Sequence, residues 1–324
     1  MHIAWSDIEN FYNVRRSLVK YPELLGGRNV VRYRAKVKIH GTNAAVQVKN
    51  DQVKAQSRTS IIGTGNDNAG FATWVEAHKN EWINPVRDGY IIFGEWCGPG
   101  IMKGTAINKI PNKILAVFSA QKLDKLEELI IDPEELEPLV AGLSDTYVIP
   151  WYDDDPIDIP WLREEEYLLP FTGIINGCVE HVEQCDPWVK ATFGAEGIGE
   201  GLVFYPITHR GRKHFGDLAF KAKGSQHQLV TKQKPAQVNP EIANSLQDFA
   251  ILVCPLPRLE QGINESAAND FDIKNMGKFL QWIAADIEKE CCAEIEASHL
   301  EMKAAKKACM NYARNWFMKK SRSL

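Results

Sequence analysis

The sequence predicts an α+β protein: a β-rich part reaching to about residue 230, then a small all-α domain. Three observations predict it. Short apolar runs in the first part alternate at period two and are separated by turn residues, as in Val46-Gln-Val-Lys-Asn-Asp-Gln-Val53. The segment Thr231-Lys-Gln-Lys-Pro-Ala-Gln-Val-Asn-Pro240 is polar and bounded by prolines, which reads as a linker at 231–240. Beyond it the strand signal disappears. Met276, Phe279, Leu280, Ile283 and Ile287 mark one amphipathic helix within 241–324, and Met302, Ala305, Cys309, Tyr312 and Trp316 mark another.

Along the chain, Ser6-Asp-Ile-Glu9 is the pattern of a capping box opening a short helix, and Gly26-Gly27 breaks the chain. Arg34-Ala-Lys-Val-Lys38-Ile-His-Gly-Thr-Asn-Ala-Ala-Val46 reads as a strand, a tight turn at Gly41 and a second strand. On a strand Lys36 and Lys38 leave from one face. A lysine ahead of a small turn is the layout of a covalent lysyl-nucleotide site, with glycine letting the backbone approach a ligand. Taken alone the pattern is weak, and a solvated hairpin is the simpler reading, because Lys-x-x-Gly occurs by chance roughly once in a chain of this length.

Further on, a hairpin turns at Asn50-Asp51 and leads to Arg58, just beyond a strand end and placed to reach a phosphate. Gly63 to Gly70 is a loop without the Gly-Lys-Ser/Thr ending of a phosphate cradle, and a helix is expected over 71–82. Tyr90-Ile-Ile-Phe-Gly-Glu95 is a buried type of strand carrying a carboxylate, so Glu95 should be paired or in contact with ligand. Phe118, in the strand after Lys113, either faces a base or packs in the core. Residues 121–130 and 132–142 read as helices, and Asp153-Asp-Asp155 as a solvated turn. Glu200 sits where a turn enters an apolar strand. Lys221 and Lys223 share a strand face, either to meet an anion or simply as edge-strand lysines.

Composition narrows the class. The chain of 324 residues has 44% hydrophobic and 25% charged content, ordinary for a soluble globular protein. No uncharged apolar stretch approaches the ~20 residues of a membrane span. Met1 to Asp7 lacks the basic and apolar segments of a signal peptide. Seven cysteines, odd in number and without Cys-x-x-Cys, suit free thiols in a reducing compartment, cytoplasmic by default, with a viral or organellar origin left open. Net charge is −4, yet residues 121–167 hold 15 acidic against 3 basic side chains, and 301–324 hold 7 basic against 1 acidic. Such polarity suits a polyanion on one face, or simply two solvated surfaces.

As an ordered set, Lys38-Ile-His-Gly-Thr-Asn43, Ser57-Arg58-Thr, Phe93-Gly-Glu95, Phe118, Glu200-Gly-Leu-Val and Phe220-Lys221-Ala-Lys223 resemble motifs I, Ia, III, IIIa, IV and V of the covalent nucleotidyltransferases. The form Lys-Ile-His-Gly-Thr-Asn, followed by Phe-Gly-Glu and Gly-Pro-Gly-Ile, is similar to the RNA ligase 2 family of bacteriophage double-strand RNA ligases and trypanosome editing ligases. The resemblance implies an adenylyltransferase domain (1–230) of packed antiparallel sheets with flanking helices, an ATP-grasp-like ligase fold, and a helical C-terminal domain.

The resemblance also implies ATP and Mg²⁺ as cofactors, with Mn²⁺ as a substitute, and RNA (nicked duplex or annealed ends) as partner. It implies Lys38 as the nucleophile, assisted by Lys221 and Lys223. A free lysine amine is only ~0.1% deprotonated near neutrality, so cationic neighbours that lower its pKa would help. Glu95 would hold the ribose, Phe118 the adenine, and Glu200 the metal. Val37 and Ile39 would contact the nucleotide; Val37 replaces an acidic residue, so its contacts there would be through backbone groups. Lys36, His40, Asn43 and Arg58 would touch phosphate or the RNA end. An ATP-dependent DNA ligase and a catalytically inactive RNA-binding relative are the alternatives.

Overall fold

Left-handed backbone at Asn50 (φ 51°) and Asp51 (φ 61°) closes a two-residue hairpin, the first of several turns that lay down sheets in this computed structural model. The structure describes residues 1–153, 155–209, 211–224, 246–297 and 300–321. The predicted linker at 231–240 and Asp154 lie outside them. The chain folds as two compact units, Met1–Gly224 and Ser225–Leu324.

In the first unit the strands are β1 (Glu9–Asn10), β2 (Val31–Lys38), β3 (Thr42–Lys49), β4 (Gln52–Ser57), β5 (Ile61–Ile62), β6 (Tyr90–Cys97), β7 (Ile114–Lys122), β8 (Lys125–Ile130), β9 (Thr146–Val148), β10 (Ile157–Ile159), β11 (Gly201–Pro206) and β12 (Phe220–Lys223). One sheet has the order β1-β12-β11-β2-β10 and the other β5-β4-β3-β6-β7-β8, with β9 beside β7. Pairing is antiparallel except for β1 with β12 and β9 with β7. The helices are α1 (Phe11–Lys20), α2 (Phe71–Ala77), α3 (Lys79–Trp82), α4 (Pro133–Val140), α5 (Glu165–Gln184), α6 (Pro187–Phe193) and α7 (Arg212–Leu218).

The turn at Gly41 does not make a hairpin. β2 and β3 belong to different sheets, so the chain crosses from one to the other directly after Lys38. A core containing Ala35, Val37, Phe93, Ala116, Phe118 and Phe204 joins residues of both sheets. Trp5 packs there against Phe93 and Phe118, with ring centroids 5.0 Å away in each case.

Three local expectations are corrected. The first helix opens at Phe11, where the Asn10 side chain accepts from the Asn13 N–H; Ser6 does not cap it, because Glu9 and Asn10 pair with β12. Residues 121–130 are not a helix. β7 runs on to Lys122 and turns back as β8, with Leu129 buried while Glu127 and Glu128 point outward, so sheet pairing overrides a helix-like composition. The helix expected over 71–82 is broken at His78 into α2 and α3. The helix expected at 132–142 is present as α4.

The described part of the second unit is helical: α8 (Leu246–Val253), α9 (Leu256–Ala267), α10 (Met276–Glu290), α11 (Cys292–Ala297) and α12 (Met302–Ser321). Phe279, Leu280, Ile283 and Ile287 of α10 and Ala305, Cys309, Ala313 and Phe317 of α12 form its core. Arg258 is fully buried there, its Nε 2.9 Å from Asp286 and its guanidinium beside Cys291. All seven cysteines are free thiols, and Cys97, Cys254, Cys291 and Cys309 are buried.

Candidate active site

Lys38 closes β2, Gly201 opens β11 and Lys223 closes β12, and the three are in lateral register. Residues directly opposed on antiparallel strands send their side chains to one face. The middle position carries no side chain, so the two lysines converge above it. A Cβ at Gly201 (φ 145°) would collide with the Ala222 carbonyl oxygen, so glycine is required.

Glu200 fills the space between the amines. Its Oε2 is 2.7 Å from Lys38 Nζ and 3.4 Å from His40 Nδ1, and Oε1 is 3.3 Å from Lys223 Nζ. The residue is only 4% exposed. Burial alone would raise its carboxyl pKa, but Lys38 and Lys223, helped by His40, prevail and hold it well below the usual carboxylate range. The loop delivering Glu200 is tied down on several sides. Gly199 N–H donates to Val182 O, Ala106 N–H to Ile198 O, and Lys109 Nζ to Glu196 O. Asp186, which caps α6 at Val189 N–H, also donates its own backbone N–H to Gly197 O, and burial pushes its carboxyl up to about 6.

Gly41 brings the turn after Lys38 against the strand of Glu95. A Cβ there would meet Trp96 O at 2.5 Å, Cys97 Cβ at 2.8 Å and Glu95 Cγ at 2.9 Å. Two of these neighbours cannot swing aside. Gly41→Ala should therefore cost about 1–3 kcal/mol of stability, read as a lower urea midpoint at unchanged m-value. An unchanged midpoint would show that the turn has slack. Asn43 is the partner of Glu95 in the β3–β6 ladder, and both are partly exposed. Glu95 shares its strand face with Phe93 and Cys97, while Ile92 and Trp96 back onto the separate core behind the sheet.

The sequence-predicted residues divide into groups. Lys38, His40, Glu200 and Lys223 meet directly. Val37 and Ile39 flank Lys38 with buried side chains, Val37 at 4% and Ile39 at 4% exposure, so any ligand contact would come from their backbones. Lys221 lies on β12 two residues before Lys223, level with Val203, and is half-buried. Phe118 is 9% exposed and lies against Trp5. Arg58 is in an exposed turn and pairs with Asp7 of the N-terminal segment.

Lys36 is corrected. It does share the face of Lys38, but it is fully buried, which is at odds with a direct contact to phosphate or RNA. Its amine donates to Phe118 O at 3.0 Å and lies over the rings of Trp151 (4.9 Å) and Tyr205 (5.5 Å). Burial pushes its pKa down to about 7 despite nearby Asp132. The residues that surround it, Trp151 and Tyr205, and Trp5 beside Phe118, escaped the sequence reading. They are single aromatics without a motif, and no local pattern distinguishes them from ordinary core.

A family profile described as RNA ligase matches residues 31–223, more than half of the chain and the full span from β2 to β12. Among solved structures, the chain resembles a mutant apo form of a Naegleria gruberi RNA ligase, with 19% identity and a TM-score of 0.44 over 69% of this chain and 57% of that one. A mutant form of that enzyme with ATP and Mn matches with a TM-score of 0.45 at 19% identity, over 69% and 56% of the two chains. Another with AMP and Mn matches with 0.44 at 19%, over 69% and 57%. This chain therefore spans less than two thirds of the length of those proteins. With the profile covering every strand that carries the Lys38–Glu200–Lys223 cluster, the chain belongs to the RNA ligase family.

Proposed function

We propose that this protein is an ATP-dependent RNA ligase that seals 3′-OH and 5′-phosphate ends, nicks in duplex RNA above all, through a lysyl-AMP intermediate. The observation that carries the reading is the register of Lys38, Gly201 and Lys223, which puts two amines on one buried carboxylate. Lys38 Nζ attacks the α-phosphorus of ATP; an N–P bond forms, the bond to the bridging oxygen breaks, and pyrophosphate leaves. The 5′-phosphate of RNA then takes the adenylyl group and frees the amine. A 3′-OH finally attacks that phosphate and AMP leaves.

Lys38 is held as an ion pair by Glu200, so its amine must shed a proton before the first attack. Lys223 and Lys221 suit the charge that builds on the phosphate. Glu95 suits the ribose hydroxyls and Phe118 the adenine face. Glu200 suits a hydrated divalent cation, since Mg²⁺ keeps most of its waters and needs one or two carboxylates besides phosphate; bound there, the metal would neutralise phosphate charge. A reducing compartment is the setting that seven cysteines without a Cys-x-x-Cys pattern suit.

The test is incubation with ATP and Mg²⁺ followed by intact mass measurement, then a panel of nicked duplexes with RNA or DNA at the 3′-OH strand. The expected result is one added adenylyl group and faster sealing from an RNA 3′-OH. Equal sealing of all-DNA nicks would favour a DNA ligase, and no adduct at all would favour an RNA-binding relative without catalysis.

A further inference from the structure

A lysine without exposure is costly to keep, and Lys36 is fully buried. Its amine donates to the Phe118 carbonyl, in the other sheet. Trp151 and Tyr205 cover the amine, and Trp151 Nε1 donates to Asp132 at 3.1 Å, which keeps that carboxylate near as electrostatic support. Phe118 is also where the β6–β7 ladder shifts register: Phe93 pairs with Ser119 and Gly94 with Val117, so Phe118 is the extra residue. A bulge re-aims a side chain and loosens its hold in the ladder. Two residues along β2 from Lys36 is Lys38.

We propose that Lys36 is a positioning residue that ties the Phe118 bulge to the strand of Lys38 and so sets how tightly the site grips a purine base. This rests on the lysyl-AMP reading given above. The ring of Phe118 can serve a base only if its place relative to the nucleophile is fixed; the ladder pairs nothing with Phe118 at that point, so the amine holds its backbone while Trp5 packs on the ring. The lowered pKa of Lys36 fits a group held for its geometry and not for its charge.

The experiment is a double-mutant cycle on lysyl-AMP formation. Lys36→Met keeps the reach and removes the donor. It should raise the KM for ATP about fivefold, the net worth of one hydrogen bond, while the rate at saturating ATP stays within about twofold. Phe118→Leu should also raise KM, and the double variant should be no worse than Phe118→Leu alone, because Lys36 acts through that ring. An unchanged KM in Lys36→Met, or effects that multiply, would overturn the proposal. If Lys36→Met does not fold, Lys36→Leu, which also lacks a donor, takes its place in the same cycle. A wild-type protein that neither binds ATP by calorimetry nor forms the adduct overturns the lysyl-AMP reading and this proposal with it. A normal adduct with an insensitive Lys36 overturns this proposal alone.

Discussion

A Lys38→Ala protein incubated with ATP and Mg²⁺ should gain no adenylyl mass, whereas the wild type should gain one group, mapped to the peptide containing Lys38. The loss should be complete, because the substitution removes the atom that forms the bond. Lys223 is the natural rival, since its amine reaches the same carboxylate at 3.3 Å and its side chain is 14% exposed. Lys38 is closer, at 2.7 Å, and more open, at 23%. It also stands directly before the turn that passes Glu95. Lys38→Arg should fail as fully as Lys38→Ala, because a guanidinium keeps the positive charge but does not deprotonate to attack. An adduct persisting in either variant would remove Lys38 from its role and point to Lys223. Folding should survive both changes, Lys38→Ala at some cost in stability, because Lys223 and His40 still face Glu200 and the core of β2 is built by Val31, Tyr33, Ala35 and Val37.

The grouping of this cluster was legible in the sequence, because its members fall in short local motifs whose order survives without knowledge of the fold. Lys38, Glu200 and Lys223 came out together for that reason. What spacing does not convey is which surface lies over a strand face. Alternation put Lys36 beside Lys38 correctly, but the rings of Trp151 and Tyr205 that seal it come from distant segments. Nor does a turn reveal which sheet its second arm joins, so the Gly41 turn reads as a hairpin until β3 is found paired with β4 and β6. The long helix α5 escaped altogether. Leu168, Ile175, Val179 and Val182 carry helical spacing on its buried side, yet Pro170, Gly173 and Gly177 within it weaken the local signal, and packing decides the outcome. At residues 121–130 the error ran the other way, with acidic side chains suggesting a helix where β8 pairs with β7.

Glu200→Gln should cost both stability and activity, and acid pH should separate the two. The change keeps the side chain's shape but leaves the amines of Lys38 and Lys223 facing a neutral group at a site only 4% exposed. Removing one partner of a buried charge cluster is destabilising, and with the lysines partly solvated the expected loss is about 1–3 kcal/mol near neutral pH. Lysyl-AMP formation should fall about a hundredfold or more, as when one preorganised electrostatic group is removed from a reacting phosphate's surroundings. The sign of the pH effect follows from the depressed carboxyl pKa. A carboxylate held below its unfolded value contributes stability that is fully present above that value, about 4.3, and is lost as pH falls through the folded one. The wild type should therefore lose its advantage over Glu200→Gln as urea unfolding is repeated from pH 7 down to pH 3. A gap that stays constant across that range would mean the lysines do not stabilise the ionised carboxylate, and the cluster would then be a packing arrangement without the electrostatic bias that adenylyl transfer needs.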